Sequence, residues 1–232
     1  MKKNYAVFLR HGDYQHRKLT PGAYQPYPLT EEGRAQSERC VEKLQKFCTE
    51  HKLRIAPVLH TSCLLRAWQT ADLIRQKLAA ETNLSYSLQE TEQLCERSVG
   101  SLANLSISEI EQVLHDDPRY EVPPPGWKSD SHYKLPYPFA ESLMQAGKRA
   151  ATYIDSVMAA WPDDAGIMQL FIGHGASFRH ASCHKGMLEF EQLAQLSMHH
   201  AEPICFTLDR EKQWLHQAGA WKIRSHISSY TD

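Results

Sequence analysis

Two histidines in this chain share one local context. Arg10-His11-Gly12 closes a short apolar run over 5–9, and Gly173-His174-Gly175 closes another over 168–172. Runs of this kind read as buried parallel strands. In open α/β sheets, ligands bind beyond the carboxyl ends of strands, where the strand order reverses. Two such ends would bring His11 and His174 to face one pocket. Arg10 sits beside His11, and Arg66 falls in the first turns of a helix that follows the second strand. A helix N-terminus favours anions, and a guanidinium fork matches phosphate oxygens. Two arginines and two histidines together make a pocket for a dianion, with phosphate as its natural occupant.

The elements that must hold these groups alternate. Thr30 reads as an N-cap for a helix over 31–51. A strand is expected over 55–60, with Pro57 near its start, then a helix over 63–80 capped by Thr61-Ser62 and a short strand around Tyr86 and Leu88. Residues 116–140 hold six prolines together with Trp127 and Tyr133, which predicts a long surface loop or insertion of the kind that often forms a lid. Helices are expected over 140–160 and 176–187, and late strands over 203–208 and 214–223. This alternation predicts an α/β fold, a three-layer α/β/α sandwich with a mostly parallel central sheet. A length of 232 residues fits one domain carrying that insertion.

Composition narrows the function classes. The chain is 42% hydrophobic and 23% charged, an ordinary globular balance, with a net charge of −1. That charge gives no footprint for nucleic acid. No apolar stretch approaches the ~20 residues of a membrane span. No secretory signal follows Met1-Lys2-Lys3, and the six cysteines form no C-x-x-C pair, which reads as reduced thiols in a cytoplasmic protein.

The motifs resemble those of the histidine phosphatase superfamily, which includes the phosphoglycerate mutases. Leu9-Arg10-His11-Gly12 is similar to its signature. Pro28-Leu29-Thr30 with Gly33 and Gln36 resembles its next block. Ser62, Arg66-Ala67 and Gln69-Thr70-Ala71 resemble its second arginine motif, with the leucine aligned at Leu64 or Leu65. Glu96-Arg97 with Gly100 and Leu102 resembles its acid loop, and Ala140-Glu141-Ser142-Leu143 its Gly-Glu-Ser block with Ala for Gly. Gly173-His174-Gly175 matches the second histidine. The blocks run in family order through most of the chain.

The resemblance implies that His11 attacks phosphorus and becomes phosphohistidine. It implies that Arg10, Arg66 and His174 hold the phosphoryl oxygens, and that Glu96 protonates the leaving oxygen and then activates water. Asp13 is a rival for the acid, since some small members of the family begin with the same Arg-His-Gly-Asp. Arg17 stands about where mutases carry a phosphate-binding asparagine, and Gly175 lets the backbone approach the substrate. The scheme needs an uncharged His11 with its other ring nitrogen held by a hydrogen bond. It calls for no metal or other cofactor. His16, His132, His180, His184, His199 and His200 match no metal-ligand spacing. Tyr24, Tyr27, Trp127 and Tyr133 are candidates to line the entrance or to hold the loops down.

Phosphatase and mutase differ in whether water or a second hydroxyl accepts the phosphoryl group. The mutase acid loop runs Glu-Arg-His-Tyr-Gly and soon reaches a lysine. Here it reads Glu96-Arg97-Ser98-Val99-Gly100, with Ile107 near the lysine's place, and the arginine pair expected ahead of the proline run aligns with Asp117-Pro118 beside Arg119. Hydrolysis of a phosphomonoester is therefore the expected activity, with mutase-type transfer as the alternative. A non-catalytic protein that binds phosphorylated ligands is the third reading. A small phosphoester is the expected substrate, and a phosphoprotein is left open by a loose likeness of residues 171–180 and Leu196-Ser197 to the mitochondrial protein phosphatase branch. The sequence sets no oligomeric state.

Overall fold

The structure is a computed structural model, and it describes residues 3–17, 19–21, 24–209 and 211–224. The chain opens with β1 (Tyr5–Arg10), buried along its whole length. Its Tyr5, Val7 and Leu9 join one apolar cluster, and Ala6 and Phe8 join another. That alternation across the pleat makes β1 a central strand covered on both faces.

Helix α1 (Glu31–His51) follows, with the Thr30 hydroxyl accepting from Gly33 N as its N-cap. The strand expected over 55–60 is divided into β2 (Arg54–Ile55) and β3 (Val58–Ser62). Pro57, which has no N–H to give a ladder, lies in the break. Helix α2 (Leu65–Thr82) begins two residues later than expected. Thr61 and Ser62 are the end of β3, and the N-cap is Leu64, without a side-chain cap bond. The strand β4 (Ser87–Thr91) excludes Tyr86.

Helix α3 (Ile107–Asp116), unforeseen, starts at a full Ser106–Glu109 capping box and buries Ile110 and Leu114. These two residues join Val99, Leu102, Trp127, Leu135 and Ala140 in a third cluster. The proline-rich stretch thus has buried anchors of its own. Then come α4 (Leu143–Met158), β5 (Ile167–Gly173), α5 (Gly175–His184), β6 (Leu196–Ser197), β7 (Pro203–Leu208), β8 (Trp214–Ala218) and β9 (Lys222–Ile223). The single late strand expected over 214–223 is two pieces. Between them Gly219 takes φ +89 against the Pro203 carbonyl, and β9 leaves the main sheet to pair with β6.

The seven-stranded sheet runs β4-β3-β5-β1-β7-β8, with β2 also paired to β5. Strands β4, β3, β5, β1 and β2 are joined by parallel pairings, while β7 and β8 pair antiparallel. Helices α1 and α2 pack on one face and α4 and α5 on the other. This is the expected three-layer α/β sandwich around a mixed, mostly parallel sheet. β1 and β5 lie side by side with Arg10 opposite Gly173. One feeds α1 on the first face and the other feeds α5 on the second. Their carboxyl ends therefore flank the crevice where the chain parts, the place such folds use for ligands.

Candidate active site

His11 leaves β1 with its N–H on Gly173 O, at 3.0 Å. The next turn is set by backbone contact. A Cβ on Gly12 would lie 2.4 Å from Gly33 O, and one on Gly33 would lie 1.9 Å from Asp13 O. Only glycine at both places lets the start of α1 press against the turn that carries His11. Gly12 N donates to Thr70 Oγ1 at 3.0 Å, Asp13 N to Gln36 Oε1 at 2.9 Å, and Leu29 N to Gln69 Oε1 at 2.8 Å. The quoted motif residues outside the pocket thus fix the loop that bears the nucleophile candidate.

Arg66 joins the two histidines. Its Nε donates to His11 Nε2 and its Nη2 faces His174 Nδ1, each at 3.1 Å. The imidazole centroids are 5.1 Å apart. His11 is 4%, Arg66 2% and His174 0% exposed. The partners dictate the tautomers. Gly12 O, 2.8 Å from His11 Nδ1, can only accept, so Nδ1 carries the proton and Nε2 keeps its lone pair. Guanidinium can only donate, so His174 Nδ1 accepts and its Nε2–H points to Ser62 Oγ at 2.9 Å. Both histidines titrate well below the usual imidazole range. Burial is the main cause for each, and Arg66 and Arg10 add to it, with the other histidine acting on His11 as well. The nucleophile candidate is thereby held neutral, with its Nε2 lone pair accepting from Arg66.

Arg10 reaches across to Met198 O with Nη1, at 2.9 Å, and Ala201 N bonds to its carbonyl. Gly175 lies against the Arg10 side chain, whose Cδ is 3.4 Å from where a Cβ would stand. Glu96 comes in from the loop after β4 and meets the first turn of α5. Its Oε1 accepts from Arg97 N, Ser177 N and Ser177 Oγ, and its Oε2 from Ala176 N at 3.2 Å. A carboxylate at a helix N-terminus is favoured by the backbone dipoles. Asp13, the rival acid, accepts at Oδ2 from Thr30 Oγ1 at 2.8 Å.

The structure therefore brings Arg10, His11, Arg66, His174 and Gly175 together, with Glu96 at the edge of the group. Arg17 turns elsewhere. Its side chain is 54% exposed, with Nη1 on Asn104 O and Nη2 4.0 Å from Glu109. Three neighbours were given no place at the site by the sequence. Tyr14 stands edge-on to His11, with centroids 5.2 Å apart, and beneath Arg66. His200 donates from Nδ1 to the His11 carbonyl at 2.8 Å. Arg149 ties Glu141 to the loop that carries Glu96, through the carbonyls of Glu92, Gln93 and Cys95. Only the nearness of Tyr14 to His11 in the chain was a signal. Among the described residues no group of three or more His, Cys, Asp or Glu is placed to hold a metal, and no helix is long and apolar enough to cross a membrane.

Comparison with known proteins places this architecture. The profile of the histidine phosphatase superfamily (branch 1) matches residues 6–220, and the chain belongs to that superfamily. A 2,3-bisphosphoglycerate-dependent phosphoglycerate mutase of Bifidobacterium longum is 29% identical over 220 residues, covering 88% of this chain and 85% of the relative. The phosphoglycerate mutase of Candida albicans is 26% identical over 88% of this chain and 86% of its own. Among solved structures, the vanadate complex of mycobacterial glucosyl-3-phosphoglycerate phosphatase superposes with a TM-score of 0.65 at 20% identity, covering 92% of this chain and 97% of that one. Bacillus stearothermophilus YhfR gives 0.67 at 20% identity, over 97% and 100%. These structural likenesses establish the shared fold.

Proposed function

We propose that the protein hydrolyses a phosphomonoester through a phosphohistidine on His11. The observation that carries this reading is the single guanidinium of Arg66, bonded at once to His11 Nε2 and His174 Nδ1. One small anion placed among these groups takes the two donors that Arg66 now spends on the imidazoles. That frees the His11 lone pair for in-line attack. Its negative charge favours protonation of His174, whose Nδ1–H then donates to a phosphoryl oxygen. His11 Nε2 forms the N–P bond as the ester P–O bond breaks, and Glu96 protonates the leaving oxygen. Water then attacks phosphorus and gives its proton to Glu96, and the P–N bond breaks to release phosphate. Arg10 and Arg66 stabilise the charge that builds on the equatorial oxygens.

Mutase-type transfer is the second reading, favoured by the curated relatives. The surroundings of the site favour water as acceptor. Arg119, the nearest match to the mutase arginine pair, is exposed and paired with Asp117. The buried cradle suits a small phosphoester better than a folded phosphoprotein. The lobe built on Trp127 and Leu135 is the candidate lid of a single domain, and the six unpaired cysteines fit a cytoplasmic setting. Phosphate release from p-nitrophenyl phosphate, with trapping of an acid-labile phosphoenzyme, tests the proposal. It fails if His11→Ala turns over as fast as wild type. Robust phosphoglycerate mutase activity with a bisphosphate primer would instead select the second reading.

A further inference from the structure

Tyr14 is three residues past the nucleophile candidate, and its backbone is pinned. It bridges to Leu29, and the next N–H donates to Pro28 O at 3.0 Å. The ring lies at 88° to the His11 imidazole, 5.2 Å between centroids. The Arg66 guanidinium carbon sits 4.7 Å from the same ring's centroid. One aromatic side chain thus walls both central groups of the site, an edge contact to one and a cation over the other. The charges that act on the phenol are those of Arg66, Arg10, Glu96 and Asp13. These are two cations of the cradle and both candidate acids. The ring that meets His11 and Arg66 thus carries its hydroxyl within the field of all four.

On the phosphohistidine reading, we propose that Tyr14 is a further catalytic residue: its ring holds the His11 imidazole and the Arg66 guanidinium in place, and its hydroxyl donates a hydrogen bond to the bound phosphoryl group. Packing alone would be served by phenylalanine. The phenol adds a donor to an anion without adding charge beside the nucleophile. Burial raises its pKa, so it stays protonated and able to donate through the neutral range.

The test compares Tyr14→Phe, which keeps the ring, with Tyr14→Ala, which removes it. Removing one donor to a charged group costs roughly tenfold to a hundredfold. Tyr14→Phe is expected to keep the wild-type melting temperature and to lose about that much in kcat/KM and in orthovanadate affinity measured by calorimetry. Tyr14→Ala is expected to lose more, since His11 and Arg66 also loosen. A Tyr14→Phe protein within about twofold of wild type in both measurements overturns the hydroxyl's role. Wild-type protein labelled with 13Cζ-tyrosine gives a readout independent of the variants' folding. The Tyr14 resonance, assigned by its loss in Tyr14→Phe, should move on addition of orthovanadate, and an unmoved resonance counts against the contact. An inert His11→Ala beside an unimpaired Tyr14→Phe sinks the Tyr14 proposal alone. A fully active His11→Ala sinks the phosphohistidine reading and this role with it.

Discussion

Ser62 Oγ stands 2.9 Å from His174 Nε2, at the point where β3 ends beside β5. The same oxygen donates to Cys95 Sγ and accepts from Leu64 N. It is therefore an acceptor for the imidazole, and it fixes the tautomer that turns Nδ1 toward Arg66. Ser62→Ala removes that constraint inside a fully buried site. Loss of a neutral hydrogen bond costs about 1 kcal/mol in stability. The expected kinetic loss is larger, about tenfold in kcat, because the wrong tautomer offers an N–H to the guanidinium. Steady-state kinetics beside a thermal melt checks this. An unchanged kcat would mean that the ring needs no such support.

Four histidines, His11, His60, His174 and His180, are held below the usual imidazole range, chiefly by burial, with His60 and His180 pushed down to about 4. A histidine that stays neutral when folded but titrates normally when unfolded stabilises the fold fully above the unfolded pKa. That stability is lost as pH falls below about 6.5 toward the folded value. Stability should therefore be flat through the neutral range and decline as the medium is acidified from pH 6.5 to 4. Urea titrations across that window measure it. A flat response would show that these imidazoles titrate as they do in water.

Arg149 makes a two-armed pair with Glu141, 2.9 and 2.8 Å, and donates to the carbonyls of Glu92, Gln93 and Cys95. These three carbonyls lie within the four residues before Glu96. Arg149→Met leaves Glu141 half-buried without its partner, a change that costs about 3–5 kcal/mol where a pair is fully buried and less here. It should also slow turnover without weakening orthovanadate binding, since the acid loop shifts while the cradle of His11, Arg66 and His174 stays. Equal losses in both would make Arg149 a general support of the fold.

Much of this arrangement was legible because it is local. The Thr30 cap and the buried runs of β1 and β5 announce α1 and the central strands, and two histidines after two strand ends announce a shared pocket. What escaped depends on distant parts of the chain. His200 meets the His11 carbonyl across 189 positions, and nothing near it in sequence marks that contact. Arg17 stands near a phosphate-ligand position in sequence, and here its exposed side chain rests near Asn104 and Glu109 on the unforeseen α3 side. The Ser106–Glu109 capping box that starts α3 is a local signal, but one short cap without a long apolar run behind it does not announce a helix by itself. The division of 55–60 at Pro57 is the opposite case, since the proline was visible and its missing donor decides the break.

Gly33 belongs to α1 yet acts on the site. A methyl there would stand 1.9 Å from Asp13 O, a backbone atom with no rotamer to change. Gly33→Ala must push α1 away from the turn after His11. Overpacking of this kind typically costs about 1–3 kcal/mol. A loss of activity greater than the loss of folded protein is expected, because the displaced atoms belong to Asp13, two residues past His11. Activity normalised to the folded fraction from circular dichroism decides it, and full normalised activity would show that the turn absorbs the methyl.

The two candidate acids differ in what holds them. Asp13 is bound to Thr30 at the N-terminus of α1, while Glu96 meets Ala176 and Ser177 at the start of α5, next to His174. Glu96 Oε2 takes one hydrogen bond against three at Oε1, so it is the oxygen with room for a proton to be passed to a leaving group. General acid catalysis contributes about 10²–10⁴ in rate, and more is needed as the leaving group becomes more basic. Glu96→Ala should therefore lose little in kcat/KM with p-nitrophenyl phosphate and far more with phenyl or alkyl phosphates, while phosphoenzyme breakdown slows with every substrate. Asp13→Ala should show a small loss that does not vary with the leaving group. If the steep dependence on leaving group follows Asp13→Ala instead, the proton comes from the α1 side of the crevice, and the carboxylate of Glu96 serves to anchor its loop to α5.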